Sequence, residues 1–154
     1  MFSGETVQIL VSPAPAGGST GWFDPFFEAC QALGCRIDYL ATHDYPEYYP
    51  GTVDNVMNKL ERLYERYDKK IWLTEFALCC TRDEEAVIQF VQEIVPRLEE
   101  ADYIYKYSWF ITRYNEGQVS LAGGRDDWYL DSVNSLLVGD SQELSRVGKL
   151  YNNL

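Results

Sequence analysis

The sequence predicts an α/β fold of about four βα units with parallel strands, roughly half of an eight-fold β/α barrel. Three observations carry this reading. Four apolar runs, at residues 7–11, 37–41, 71–73 and 103–109, start 30, 34 and 32 residues apart, about the length of one strand, loop and helix. The segments between them keep the 3.6-residue period of amphipathic helices. The third run, Lys70-Ile71-Trp72-Leu73-Thr74-Glu75-Phe76-Ala77, is a nearly unbroken apolar stretch that closes on one carboxylate, as a parallel strand covered on both faces would read. Strands alternating with helices imply right-handed crossovers. The alternative is a four-stranded open sheet that binds at its own strand C-termini.

The first run, with Met1-Phe2-Ser3-Gly4-Glu5 before it, lacks a basic leader and is too short for a signal-peptide core, so it reads as the opening strand. Residues 22–33 place Phe23, Phe26, Phe27 and Cys30 on one helical face. Residues 52–67 give the clearest helix, with Thr52 as N-cap and Val53, Val56, Met57, Leu60, Leu63, Tyr64 and Tyr67 in period. Residues 83–99 open on Asp83, Glu84 and Glu85, which suit a helix N-terminus. Their buried stripe is Val87, Ile88, Val91, Ile94, Val95 and Leu98, and Pro96 should bend the last turns. A final helix spans residues 142–151.

With 154 residues the chain has room for one domain, residues 1–154, and not for two. Its 13 basic and 24 acidic residues leave a net charge of −11, which argues against nucleic acid as a partner because phosphate backbones need basic surfaces. No window reaches the ~18 apolar residues of a membrane span. One His and no Cys-x-x-Cys argue against a structural zinc site, and no cofactor or metal is expected. Cys30 and Cys35 would pair in a secreted chain and stay free in a cytosolic one, whereas Cys79 and Cys80 are adjacent; the residues leave compartment open. Aromatics at 15 %, 12 of them Tyr, suit carbohydrate faces as well as an aromatic core.

Chemistry is expected at the strand ends. The first strand ends in Ser12-Pro13-Ala14, and the loop after it lacks a phosphate-binding signature. The second ends in Thr42-His43-Asp44-Tyr45, the third in Glu75, the fourth in Ser108-Trp109-Phe110. A carboxylate closing an apolar strand is costly to bury unless it is hydrogen-bonded or used. An indole exposed at position 109 would stack on a sugar ring; a core Trp is the competing reading.

Taken in order, Ser12-Pro13-Ala14, Asp38-Tyr39-Leu40-Ala41-Thr42-His43-Asp44-Tyr45, Ile71-Trp72-Leu73-Thr74-Glu75-Phe76-Ala77 and Tyr107-Ser108-Trp109-Phe110 resemble glycoside hydrolase family 128, a family of endo-β-1,3-glucanases. The closing Asn134-Ser135-Leu136, Leu144 and Gly148-Lys149-Leu150-Tyr151 also resemble that family's C-terminus. The resemblance implies a (β/α)8 TIM-type barrel of which residues 1–154 are the C-terminal half, strands five to eight. It implies Glu75 as the nucleophile of a retaining glycosidase, on strand seven, with β-1,3-glucan as substrate. His43, Tyr45, Trp72 and Trp109 are expected, from the residues themselves, to be substrate-binding.

Retaining enzymes need a second carboxyl about 5 Å away as acid/base. In that family it follows strand four in an Asn-Glu pair. No Asn-Glu precedes Ser12 here, Glu5 precedes the first strand, and Asn115-Glu116 lies beyond the last. The acid/base is therefore expected to be absent, activity alone to be negligible, and the open barrel edges to favour self-association. The alternative is a non-catalytic β-glucan-binding module with Tyr45, Trp72, Trp109 and Trp128 as sugar platforms.

Overall fold

In the computed structural model, which describes residues 8–114 and 128–154, strand β2 (Ile71–Phe76) lies at the centre of a three-stranded parallel sheet. It is flanked by β1 (Leu40–Asp44) and β3 (Ile104–Trp109). Helix α1 (Thr20–Leu33) precedes β1, while α2 (Thr52–Tyr67) and α3 (Glu84–Glu100) are the crossovers. A 3-10 turn (Ser132–Asn134) and α4 (Arg146–Tyr151) end the chain.

The first expected strand is the main departure from the expected count, and its prolines fall where the ladder breaks. Residues 10–17 run parallel to β1. Asp38 N–H donates to Leu10 O, Ser12 N–H to Tyr39 O and Gly17 N–H to His43 O, at 2.8–3.0 Å. Pro13 and Pro15 have no N–H to give. Only isolated bridges form on either side of them, Val11 with Tyr39 and Ala16 with His43. Residues 1–7, including the start of the expected first strand, lie outside the described residues.

The helices lie on one face of the sheet. On β2, Ile71, Leu73 and Phe76 are fully buried, while Trp72, Thr74 and Glu75 are part-exposed. On β3, Lys106 and Ser108 are exposed. The buried set meets most of the expected stripes of α2 (Val53, Val56, Met57, Leu60, Leu63) and α3 (Val87, Val91, Ile94, Val95, Leu98), with Phe90 added, while Tyr64, Tyr67 and Ile88 are only partly buried. Removing these side chains from water is the main drive for the fold. None of the described helices is long and apolar enough to cross a membrane.

Helix ends differ in instructive ways. Asp83 caps α3, its carboxylate accepting from the N–H groups of Glu85 and Ala86, and the helix continues through Pro96 to Glu100. Thr52 is the first helical residue of α2, not its cap. Gly51 occupies that position with φ 88°, and the Thr52 hydroxyl ties back to Tyr49 and Glu47. The last helix begins later than residue 142 because Leu144 is spent in an antiparallel bridge with Leu137, after which Ser145 caps Gly148 N–H at 2.9 Å.

Gly148 seats α4 against the preceding segment. A Cβ there would lie 2.1 Å from Leu136 O, a backbone atom that cannot swing aside. Gly148→Ala is expected to destabilise the fold by about 1–3 kcal/mol through overpacking, read as a lower midpoint in urea at unchanged slope.

Candidate active site

Strand pairing brings the site together. His43 and Glu75 are direct partners across β1 and β2. Simple alternation would send Glu75 to the helix-packed face, opposite Trp72. The pairing Thr42–Leu73 followed by His43–Glu75 leaves Thr74 as an extra residue on β2. This bulge turns Glu75 back to the open face, and the burial sequence along β2 records the change of phase. The Thr74 hydroxyl donates to Thr42 O at 3.1 Å, fixing the bulge.

Two groups converge on one oxygen of Glu75. The Tyr45 hydroxyl donates a hydrogen bond to Oε2, and His43 Nδ1 lies 3.4 Å from the same atom. Among the described residues no hydrogen bond reaches Oε1. The Glu75 and His43 side chains are 34 % and 24 % exposed, so the carboxylate is held yet open to a ligand. Burial, and then the Glu75 carboxylate, push the Tyr45 phenol well above its ordinary pKa. Tyr45 therefore stays a donor across the working pH range. A carboxylate oriented by such a donor, with its other oxygen free, is suited to attack an electrophilic carbon.

The surroundings are aromatic and firmly anchored. Phe110 and Trp128 stand edge-on to Tyr45 at 5.9 and 6.0 Å. Directly after His43, buried Asp44 receives Lys59 Nζ at 2.8 Å on both oxygens. Burial raises the Asp44 pKa and Lys59 works against that shift. A cavity of about 400 Å³ opens beside Tyr45, between Gly17, Asp44, Tyr45, Glu47, Tyr49 and Trp128, with Glu75 and His43 outside its lining. A larger one of about 620 Å³ lies between the start of α1 and the Lys59, Arg62 and Arg66 edge of α2; Glu75, His43 and Tyr45 do not line it.

Two of the expected sugar contacts sit elsewhere. Trp109 pairs with Phe76 on the helix-facing side of the sheet. It is 6 % exposed, packs edge-on to Phe76 at 5.2 Å and donates its indole N–H to Asn134 O at 2.8 Å. It is a core residue, because it pairs with Phe76 and, two residues after Tyr107 on β3, keeps the face that Tyr107 shares with Leu73. Trp72 is on the open face but deep along the strand. It lies under Lys106 Nζ at 5.5 Å and edge-on to Tyr105 at 5.7 Å, where it lines a separate cavity of about 440 Å³ beside β3.

The Asp44–Lys59 pair and Trp128 as neighbour of Tyr45 were beyond the strand-end reading. Asp44 was visible as the polar residue inside the His43 motif, but nothing in the sequence links it to Lys59. Glu116 and Asn115 lie outside the described residues. The described residues contain no cluster of three His, Cys, Asp or Glu arranged for a metal, and all four cysteines are free thiols.

Residues 3–151 match the family model described as glycosyl hydrolase catalytic core. No curated protein matches the chain. Among solved structures, it is similar to a subgroup II endo-β-1,3-glucanase of glycoside hydrolase family 128 from Sorangium cellulosum, at 30 % identity and TM-score 0.69, over 93 % of this chain and 54 % of that one. A curdlan-specific exo-β-1,3-glucanase of subgroup III from Blastomyces gilchristii, in complex with glucose, aligns at 28 % identity and TM-score 0.67, over 95 % and 54 %. A subgroup I endo-β-1,3-glucanase mutant from Amycolatopsis mediterranei, in complex with laminaritriose and laminaribiose, aligns at 25 % and 0.70, over 92 % and 56 %. The chain thus spans a little over half the length of these relatives. With its three-stranded sheet and one-sided helices matching part of their domain, it belongs to the glycosyl hydrolase catalytic core family, as a domain like those of glycoside hydrolase family 128.

Proposed function

We propose that this chain is the nucleophile-bearing part of a retaining hydrolase acting on β-1,3-glucan. In this reading residues 10–17, β1, β2 and β3 take the places of barrel strands five to eight, and Glu75 attacks the anomeric carbon. The observation that carries the reading is the convergence of Tyr45 and His43 on one Glu75 oxygen at the C-terminal end of adjacent parallel strands. Relatives in complex with glucose and laminari-oligosaccharides support the substrate class. Tyr45 and Trp128 offer ring faces and edges for a sugar in the 400 Å³ cavity.

Among the described residues, none of the groups in contact with Glu75 is a second carboxyl. The proposal is therefore that the 154-residue chain by itself binds glucan and forms a glycosyl–enzyme only with activated substrates. A purely binding role for the same aromatic cavity is the second reading, and covalent labelling of Glu75 separates the two. Self-association belongs to the same proposal. Ile9, Leu10, Trp22 and Leu33 are 36–81 % exposed along the segment beside β1 and on α1, an apolar margin suited to a second copy or to further barrel units.

Laminaritriose titrated into the isotope-labelled chain should shift the amide signals of His43, Tyr45 and Glu75 saturably. Sedimentation velocity on the same sample should show dimer growing with concentration. Shifts confined to the Lys59–Arg66 cavity would sink the sugar assignment, and a monomer at every concentration would sink the association.

A further inference from the structure

The loop leaving β2 holds a thiol pair that the glycosidase reading does not use. Cys79 is 1 % exposed and Cys80 part-exposed, and their sulfurs are 2.7 Å apart, joined by a hydrogen bond. That is closer than non-bonded heavy atoms normally rest, about 3.5–4.0 Å for carbon. Adjacent cysteines seldom meet this way, because their Cα atoms are only about 3.8 Å apart across a trans peptide, below the usual disulfide span.

Here the backbone holds them in place. Cys79 N–H donates to Pro46 O at 2.8 Å and Cys80 N–H to Tyr129 O at 2.9 Å. Cys80 has φ 62°, a left-handed conformation uncommon for a residue other than Gly, Asn or Asp. The neighbouring Trp128 indole N–H donates to Tyr45 O at 3.5 Å. The pair is thus stitched to the two segments that border Tyr45, the one after β1 and the one at 128–129.

We propose that Cys79 and Cys80 are a built redox site that closes to a vicinal disulfide. The oxidant is a low-molecular-weight disulfide of the glutathione class. Cys80, the accessible member, loses its proton to solvent and attacks one sulfur of the oxidant. A mixed disulfide forms and one small thiolate leaves. Cys79 then gives its proton to solvent and attacks Cys80 Sγ, expelling the second small thiolate. Two protein thiols are oxidised, one external disulfide is reduced to two thiols, and no atom is left over. Burial, and then the Cys80 contact, raise the Cys79 thiol well above its ordinary pKa. Cys79 is accordingly the resolving residue and Cys80 the entry point. The tight ring should be strained and readily reduced, which places it with labile rather than structural disulfides.

Trypsin separates the two cysteine pairs, since Cys30 and Cys35 fall in residues 1–36 and Cys79 and Cys80 in residues 71–82. The reduced full chain is incubated with oxidised glutathione while folded, alkylated with iodoacetamide, digested and weighed. Peptide 71–82 is expected about 2 Da below its reduced mass, with no alkyl group and no glutathione. The same incubation in urea should give at least about tenfold less of that product, because only the folded chain holds the sulfurs together. Cys80→Ser should lose it altogether. Two alkyl groups on the folded peptide, a persistent glutathione adduct, or equal closure in urea would each overturn the proposal.

Discussion

Glu75→Gln abolishes covalent labelling of this chain by a 2-deoxy-2-fluoro glucoside carrying an excellent leaving group. The wild-type chain gains the mass of one fluoroglucosyl group, located on the peptide that contains Glu75. The argument rests on what each half of a retaining reaction needs. An activated leaving group departs with little acid assistance, so glycosylation depends on the nucleophile and on how the sugar is held. Glu75 has the required poise, with one oxygen held by Tyr45 and approached by His43 and the carboxylate partly open to solvent. Glutamine keeps the shape of the side chain and loses the nucleophile, so labelling falls to baseline while laminaritriose binding survives. Tyr45→Phe is the informative companion. It removes a hydrogen bond to a charged group, worth about 1.5–3 kcal/mol, and should slow labelling at least about tenfold without moving the label. Labelling of any other carboxyl, or undiminished labelling of Glu75→Gln, defeats the assignment.

How far the sequence revealed this site depends on which residue is considered. Glu75, His43 and Tyr45 were legible because each closes an apolar run, and the rule that strand ends carry chemistry needs no coordinates. The helices were legible for the same periodic reason; α2 begins and ends where its pattern does. Trp109 was misplaced because a tryptophan at a strand end has two faces to choose from, and a shift of one residue decides between them. Its pairing with Phe76 sends it into the core. Glu75 escapes the same fate through the Thr74 bulge, for which the sequence holds no signal. Pro13 and Pro15 were visible, and weighing their missing N–H groups would have warned that the first run pairs only at isolated points. The Asp44–Lys59 pair and the packing of Trp128 on Tyr45 are tertiary contacts, and period and spacing say nothing about them.

The second large effect lies in how the glycosyl–enzyme is released. On laminarin, whose leaving group is a sugar hydroxyl, the chain alone should be slower by about 10²–10⁴-fold than an enzyme with both carboxyls, the usual contribution of general acid–base assistance. With an activated aryl glucoside the first step proceeds and the covalent intermediate accumulates, because water attacks slowly without a base. Azide needs no base to attack. Added azide should therefore accelerate aryl glucoside turnover at least about tenfold. The product should be a glucosyl azide with the configuration of the substrate, since two displacements at one carbon restore it. Glu75→Gln should show neither turnover nor azide response, which ties both effects to one nucleophile. A different result is equally specific. Brisk laminarin hydrolysis, indifferent to azide, would mean that a carboxyl in this chain already serves as acid and base. Glu47 is then the first to replace, being exposed on the wall of the Tyr45–Trp128 cavity, and Glu47→Gln should restore both the slow turnover and the azide response.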